Sequence, residues 1–135
     1  MLMKINPVND VPIYLQIRQE IINGIVSGEL SPGDQLPSVR QLATDIGINM
    51  HTVNKAYALL RSEGYVLMQG RKGAIISEIP DADEEYFEDI MTRLRSIVTE
   101  AKARGLSEKK LFEISEKIIN ETNSSNQAEE KGGTK

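Results

Sequence analysis

Apolar positions along the chain fall into helical and strand-like periods. Ile13, Ile17, Ile21 and Ile25 recur every four residues, widened by Tyr14 and Ile22, which predicts a helix that starts at Pro12 and ends near Ser27-Gly28. The ten residues before it read as an extended arm. Leu30-Ser31-Pro32-Gly33-Asp34 carries turn chemistry, and Gln35-Leu36 can add a short strand. Apolar residues then return at Val39, Leu42, Ala43 and Ile46, break at Gly47, and resume at Ile48, Val53, Ala56, Tyr57 and Leu60. This pattern predicts two short amphipathic helices meeting at a glycine. Ser38 suits the cap of the first, with Gln41 placed to return the bond, and Asn49 suits the cap of the second, which stops by Gly64 with Arg61 in its last turn. Residues 65 to 69 and 74 to 79 are strand formers flanking Gly70-Arg71-Lys72-Gly73, a hairpin with a basic tip.

After Pro80 the helical period lengthens. Asp81 is the expected cap, with Glu84 three residues on, and Tyr86, Ile90, Leu94, Ile97, Val98 and Ala101 form one stripe. Gly105 breaks the helix, Ser107 caps another, and Leu111, Ile114 and Ile118 stripe that one, broadened by Phe112 and Ile119. Two such helices bury too little alone, so a partner is expected; packing back onto the preceding domain is the plainer alternative. Residues 123 to 135 lack apolar content and are expected to be disordered.

The order helix, turn, helix, hairpin is that of a winged helix-turn-helix. The second helix of the pair exposes Met50, His51, Asn54, Lys55 and Arg61, a face that suits a DNA major groove, while the hairpin tip suits phosphates. A helical hairpin that merely packs is the bland reading of the same residues. The expected fold class is therefore α+β: a winged helix-turn-helix domain over 1-79, a two-helix dimerisation region over 80-122 and the tail over 123-135.

Composition changes this picture in two places. The 135-residue chain has net charge −4, weakly unfavourable for nucleic acid. The charge is uneven, however: residues 1 to 80 hold seven basic and seven acidic side chains, whereas residues 81 to 135 hold nine and thirteen. A near-neutral reading domain should hold phosphate through a few local cations, with a moderate salt dependence. There is no cysteine, which excludes disulfides and thiolate metal sites and fits a cytoplasmic protein. Neither a signal peptide nor a membrane span is expected, since no window approaches 18 apolar residues.

The residues offer little to catalysis. His51 is a lone histidine, so a metal cluster or a nucleophile with a histidine base is not expected, and no phosphate-binding glycine loop occurs. Asp83, Glu84, Glu85, Glu88 and Asp89 sit at a helix start, where carboxylates complement the dipole without catalytic need. Neither a cofactor nor a metal is expected, and the chain is not expected to be an enzyme. Residues 81 to 135 are too few for a fused catalytic domain.

Three segments carry a family resemblance: I-x-x-G-x-L-x-P-G-D-x-L-P-S-x-R-x-L-A from Ile25 to Ala43, T-V-x-K-A-Y at 52 to 57, and E-G-Y at 63 to 65. Over roughly residues 10 to 79 the chain resembles the DNA-binding domain of GntR-type bacterial transcriptional regulators, and its short helical remainder resembles the YtrA-type branch, with a small dimerising tail and no large effector domain. The resemblance implies DNA contact by Arg40, by Asn49, Met50, His51 and Thr52 at the opening of the recognition helix, by Asn54 in its next turn, and by Arg71 and Lys72 on the wing; Ser38, beside Arg40, and Lys55, on the exposed face of the second helix, are counted with them as DNA-binding candidates. Many relatives carry arginine where this chain has Met50 and Asn54, so guanine reading from those positions is lost; asparagine suits adenine, and methionine a thymine methyl. Bland roles stand beside these: Thr52 as a helix-start residue, Arg40 as an ion-pair partner of Asp45 or Glu63.

The expected function is a sequence-specific transcriptional regulator, a homodimer on a palindromic operator of double-stranded DNA, with repression the simpler sign because no activating surface is evident. A winged-helix protein-interaction module that never binds DNA is the alternative. A small-molecule effector is left open, as no residues mark a ligand class.

Overall fold

The computed structural model describes residues 3–133, and the side chains of 3–123. The chain forms two units, Met1–Ile79 and Pro80–Lys131.

In the first unit, α1 (Ile13–Ser27) begins after Pro12, whose carbonyl accepts from Leu15 N at 3.0 Å, and ends at Gly28, whose φ of 87° lies in the left-handed region. Ile17 and Ile21 of the four-residue stripe are fully buried, and Ile13 and Ile25 flank the core. Gly24 lies on the same buried side. A Cβ there would fall 2.8 Å from Leu30 Cδ1, so the missing side chain lets the chain after α1 fold back onto the helix.

The residues before α1 are not an extended arm. They turn at 7 to 10, and the Gln16 amide clasps them: it donates to the carbonyls of Asn6 and Val11, both at 2.9 Å, and accepts from Asn6 N at 2.8 Å. Met3 and Ile5 pack against the core. One amide thus satisfies three backbone groups of a segment that has no ladder of its own.

The helix pair, α2 (Val39–Ile46) and α3 (Met50–Ser62), meets at Gly47 in the left-handed conformation, φ 67°. Val53, Ala56, Tyr57 and Leu60 of α3 are buried, as are Leu42 and Ala43 of α2. The hairpin pairs β1 (Val66–Met68) with β2 (Ala74–Ile76), antiparallel, Val66 opposite Ile76 and Met68 opposite Ala74. Both strands are shorter than the expected runs. Val66, Ala74 and Ile76 close the core from that side. Gln35 adds a single bridge to Ile75, supported by Leu36 N to Ala74 O at 2.9 Å.

In the second unit, α4 (Glu84–Ala103) starts two residues later than expected: its cap is Asp83, which accepts from Tyr86 N at 2.9 Å, and Asp81 lies outside the helix. Asp83 is the acid three residues before that amide, which is the reach a capping carboxylate requires. Gly105, φ 80°, breaks the chain, and Ser107 accepts from Lys110 N at 3.1 Å to start α5 (Glu108–Gly133). The side chains of 124–135, most of the tail expected to be disordered, lie outside the described residues. No residue of α4 is buried.

Candidate nucleic-acid interface

The start of each helix of the pair is fixed by a short polar side chain. Ser38 accepts from Gln41 N at 3.0 Å, as its position predicts. The reciprocal half of a capping box is missing, because the Gln41 amide donates instead to Asp45, at 2.6 Å. Asn49 Oδ1 accepts from His51 N at 2.7 Å, so this side chain is turned to the start of α3, with its amide N–H groups and a second lone pair left for a ligand.

The side of α3 opposite the core presents Met50, His51, Asn54 and Arg61, all exposed; Thr52 is half-buried, consistent with its role as a helix-start residue. Arg40 projects from the first turn of α2 and is exposed. The two carboxylates considered as its partners are engaged elsewhere: Asp45 with Gln41, and Glu63 with Arg18 through two bonds of 2.6 and 2.8 Å. The guanidinium of Arg40 makes no ion pair among the described residues and is available to an anion.

Lys55 is placed differently. Its ammonium lies 4.1 Å from the centre of the Tyr14 ring, a cation–π contact that joins the flank of α3 to α1. It is exposed, yet it turns toward α1 rather than standing beside Asn54.

Arg71 and Lys72 sit in a single 3-10 turn, Gly70–Lys72, at the hairpin tip, and both are exposed. Gln69 N donates to Gly73 O at 2.9 Å to close the loop, and Gly73 takes a φ of 70° that a side chain would oppose. The tip therefore carries two adjacent cations on a tightly closed turn.

Three positioning contacts have no local signal in the sequence. The Tyr57 hydroxyl donates to Pro37 O at 2.7 Å, tying the core side of α3 to the residue before the α2 cap; burial pushes its phenol pKa up, which keeps it protonated as the donor. Tyr57 reads as one more apolar residue in the periodic pattern, and only its oxygen adds this link. Arg18 and Glu63 are 45 residues apart, and Tyr14 and Lys55 are separated by 41, so neither pair is visible before the helices are packed. Together these contacts hold α3 at its middle, on one flank and at its C-terminal end. They leave free the face that carries Met50, His51 and Asn54.

Among the described residues no helix is long and apolar enough to cross a membrane, and no group of three His, Cys, Asp or Glu residues could hold a metal ion.

Residues 13–76 match the family described as bacterial regulatory proteins, gntR family. The chain is 36% identical over 138 residues to the HTH-type transcriptional repressor YtrA of Bacillus subtilis, covering 99% of this chain and 98% of that protein. Among solved structures, a protein of Listeria monocytogenes EGD-e described as a transcriptional antiterminator superposes with a TM-score of 0.83 at 26% identity, covering 90% of this chain and 92% of that one. YtrA of Sulfolobus acidocaldarius, a GntR-family transcription factor, is 38% identical over 89% of this chain and 98% of its own, with a TM-score of 0.54. With a capped helix pair, a free face on α3, a cationic wing and a matching helical remainder, the chain belongs to the GntR family and is a DNA-binding transcriptional regulator of the winged helix-turn-helix class.

Proposed function

We propose that this regulator is a homodimeric, cytoplasmic repressor that reads a palindromic operator with α3. The observation that carries the reading is the free face of α3, where Met50, His51 and Asn54 stand exposed while the helix is fastened elsewhere. Arg40, Asn49, Arg71 and Lys72 are assigned to phosphates or groove edges, with Ser38 and Thr52 at helix starts that approach the backbone. Lys55 is reassigned from DNA contact to fastening α3, on its Tyr14 contact. Asn54 is assigned to adenine, whose major-groove edge offers the acceptor and donor that an amide matches. The repressing sign rests on the likeness to YtrA of Bacillus subtilis. The protein acts by binding, without catalysis.

Residues 80–122 are assigned to dimerisation, because the apolar side chains of α4 and α5 lie exposed on both helices, Leu94, Ile97 and Ile118 among them. A twofold dimer would set two recognition helices about 34 Å apart, or a multiple of that, on matching half-sites. Selection of bound sequences from random duplexes, followed by salt titration, tests this. The reading predicts an inverted repeat and an affinity that falls as salt rises; a protein-interaction module predicts neither.

A further inference from the structure

Helices α2 and α3 share one covalent joint, the turn at Gly47, whose φ of 67° sets the direction in which the chain leaves α2. Leu42 and Ala43 of α2 and Val53 and Ala56 of α3 belong to one apolar core. Apolar burial is non-directional, so by itself it lets one helix swing against the other about that joint. The Tyr57 hydroxyl supplies a second joint, at the other end of α2. It donates to Pro37 O at 2.7 Å, although a phenylalanine would serve the apolar period equally well.

The acceptor suits a joint. The ring of Pro37 limits φ, which leaves ψ as the angle that turns the peptide between Pro37 and Ser38. A bond to the Pro37 carbonyl fixes that peptide plane. Ser38 carries the restraint into α2, because its Oγ accepts from Gln41 N at 3.0 Å. Leu36, one residue before, donates to Ala74 O at 2.9 Å, so the same short segment also meets the base of the wing.

The joint lies between the two side chains assigned above to the operator. Arg40 follows Pro37 by three residues and Asn54 precedes Tyr57 by three, each about one helical turn away. Both are exposed, whereas Tyr57 is buried and its oxygen is engaged within the domain. α2 is 8 residues long, so at about 1.5 Å per residue a swing of about 5° about Gly47 would shift its start by about 1 Å. A hydrogen bond keeps its strength over roughly 0.5 Å. Rotamers of the long Arg40 side chain recover part of such a shift, so the loss is graded.

We infer that Tyr57 is a positioning residue for operator recognition: its hydroxyl, through Pro37 O, holds Arg40 and Asn54 at one separation, so that the two contacts form together. This rests on the assignment of Arg40 and Asn54 to DNA proposed above and adds the group that registers them.

A double-mutant cycle in the full chain tests it. Affinities of Tyr57→Phe, Arg40→Ala and the combined variant are measured on the selected operator and on a random duplex, at one salt concentration and well below each unfolding transition. Titration at stoichiometric concentration gives the active fraction, which separates weaker binding from a smaller folded population. Tyr57→Phe should weaken operator binding roughly tenfold, but less than about twofold once Arg40 is alanine, a non-additivity in the range of directly coupled residues. On the random duplex, where Asn54 has no chosen base, the loss should also stay below about twofold. Pro37→Ala, which frees φ and keeps the carbonyl, should act in the same direction by a smaller factor and only while Arg40 is present. Losses that are equal with and without Arg40, or equal on the two duplexes, or absent on the operator, overturn the positioning role and leave Arg40 as a DNA contact. An Arg40→Ala chain with unchanged operator affinity removes Arg40 from the DNA and this inference with it. A chain that prefers no duplex overturns the DNA reading itself.

Discussion

The two units use the same kind of helix and treat it in opposite ways. α1 and α4 are both amphipathic, with apolar residues every three or four positions, yet Ile17 and Ile21 of α1 are fully buried whereas no residue of α4 is. The difference lies in what the rest of the chain supplies. Around α1 the chain returns five times, as α2, α3, the two strands and the segment of the Gln35 bridge, whose Leu36 is buried, and each contributes to one core. Beyond α4 it returns once, as α5, and no residue of α4 is buried. An amphipathic period thus states that a face must be covered. It does not state by which chain.

The largest expected effects separate these two fates. Ile17→Ala should destabilise the first unit by about 2–5 kcal/mol, through lost apolar burial and the cavity left behind, measured by denaturant unfolding. Ile97→Ala should leave that unfolding transition where it is and instead weaken dimerisation, read by sedimentation across a dilution series. If both variants shift the same transition equally, the units are not independent and the contrast between them is wrong.

Next in size are the fastenings of α3. Tyr57→Phe removes the donor to Pro37 O and leaves that carbonyl without its partner, which should cost about 1–3 kcal/mol in unfolding free energy. Arg18→Ala breaks a two-bond contact to Glu63 between partly exposed side chains, 20% and 33% accessible, and should cost less, within about 1 kcal/mol once solvent screening is counted. An Arg18→Ala cost above that of Tyr57→Phe would show that α3 is held chiefly by charge.

Most of this architecture was legible in the residues. Gly28, Gly47 and Gly105 mark helix ends because each takes a positive φ, and Ser38, Asn49 and Ser107 mark helix starts because each accepts a backbone amide. Such signals are local, and local signals survive without knowledge of packing. What escaped is non-local: the Gln16 clasp that turns the first residues into part of the domain, the Arg18 to Glu63 pair and the place of Lys55 over Tyr14. Even the α4 cap was missed by two residues, since Asp81 and Asp83 are both acids before an acidic turn and only the backbone distinguishes them. The reading face shows the same division. Periodicity put Asn54 and Lys55 together on the exposed side of α3, and only the packed α1 separates the free amide from the tethered ammonium.

The wing should produce the smallest and least selective change. Arg71→Ala and Lys72→Ala should each lower the salt dependence of binding by roughly 1 and weaken all sequences alike, measured by titration at several salt concentrations. A loss confined to the preferred operator would make the wing a reader of bases.

The most direct test of α3 as the reading element is the base preference of Asn54→Ala, determined by selection from random duplexes beside the unaltered protein. The account predicts an affinity loss of roughly 1–3 kcal/mol on the preferred operator and relaxed choice at one base pair per half-site, with non-specific binding nearly unchanged. Unaltered affinity together with an unaltered preferred sequence would contradict it, and would shift the reading to Met50 and His51.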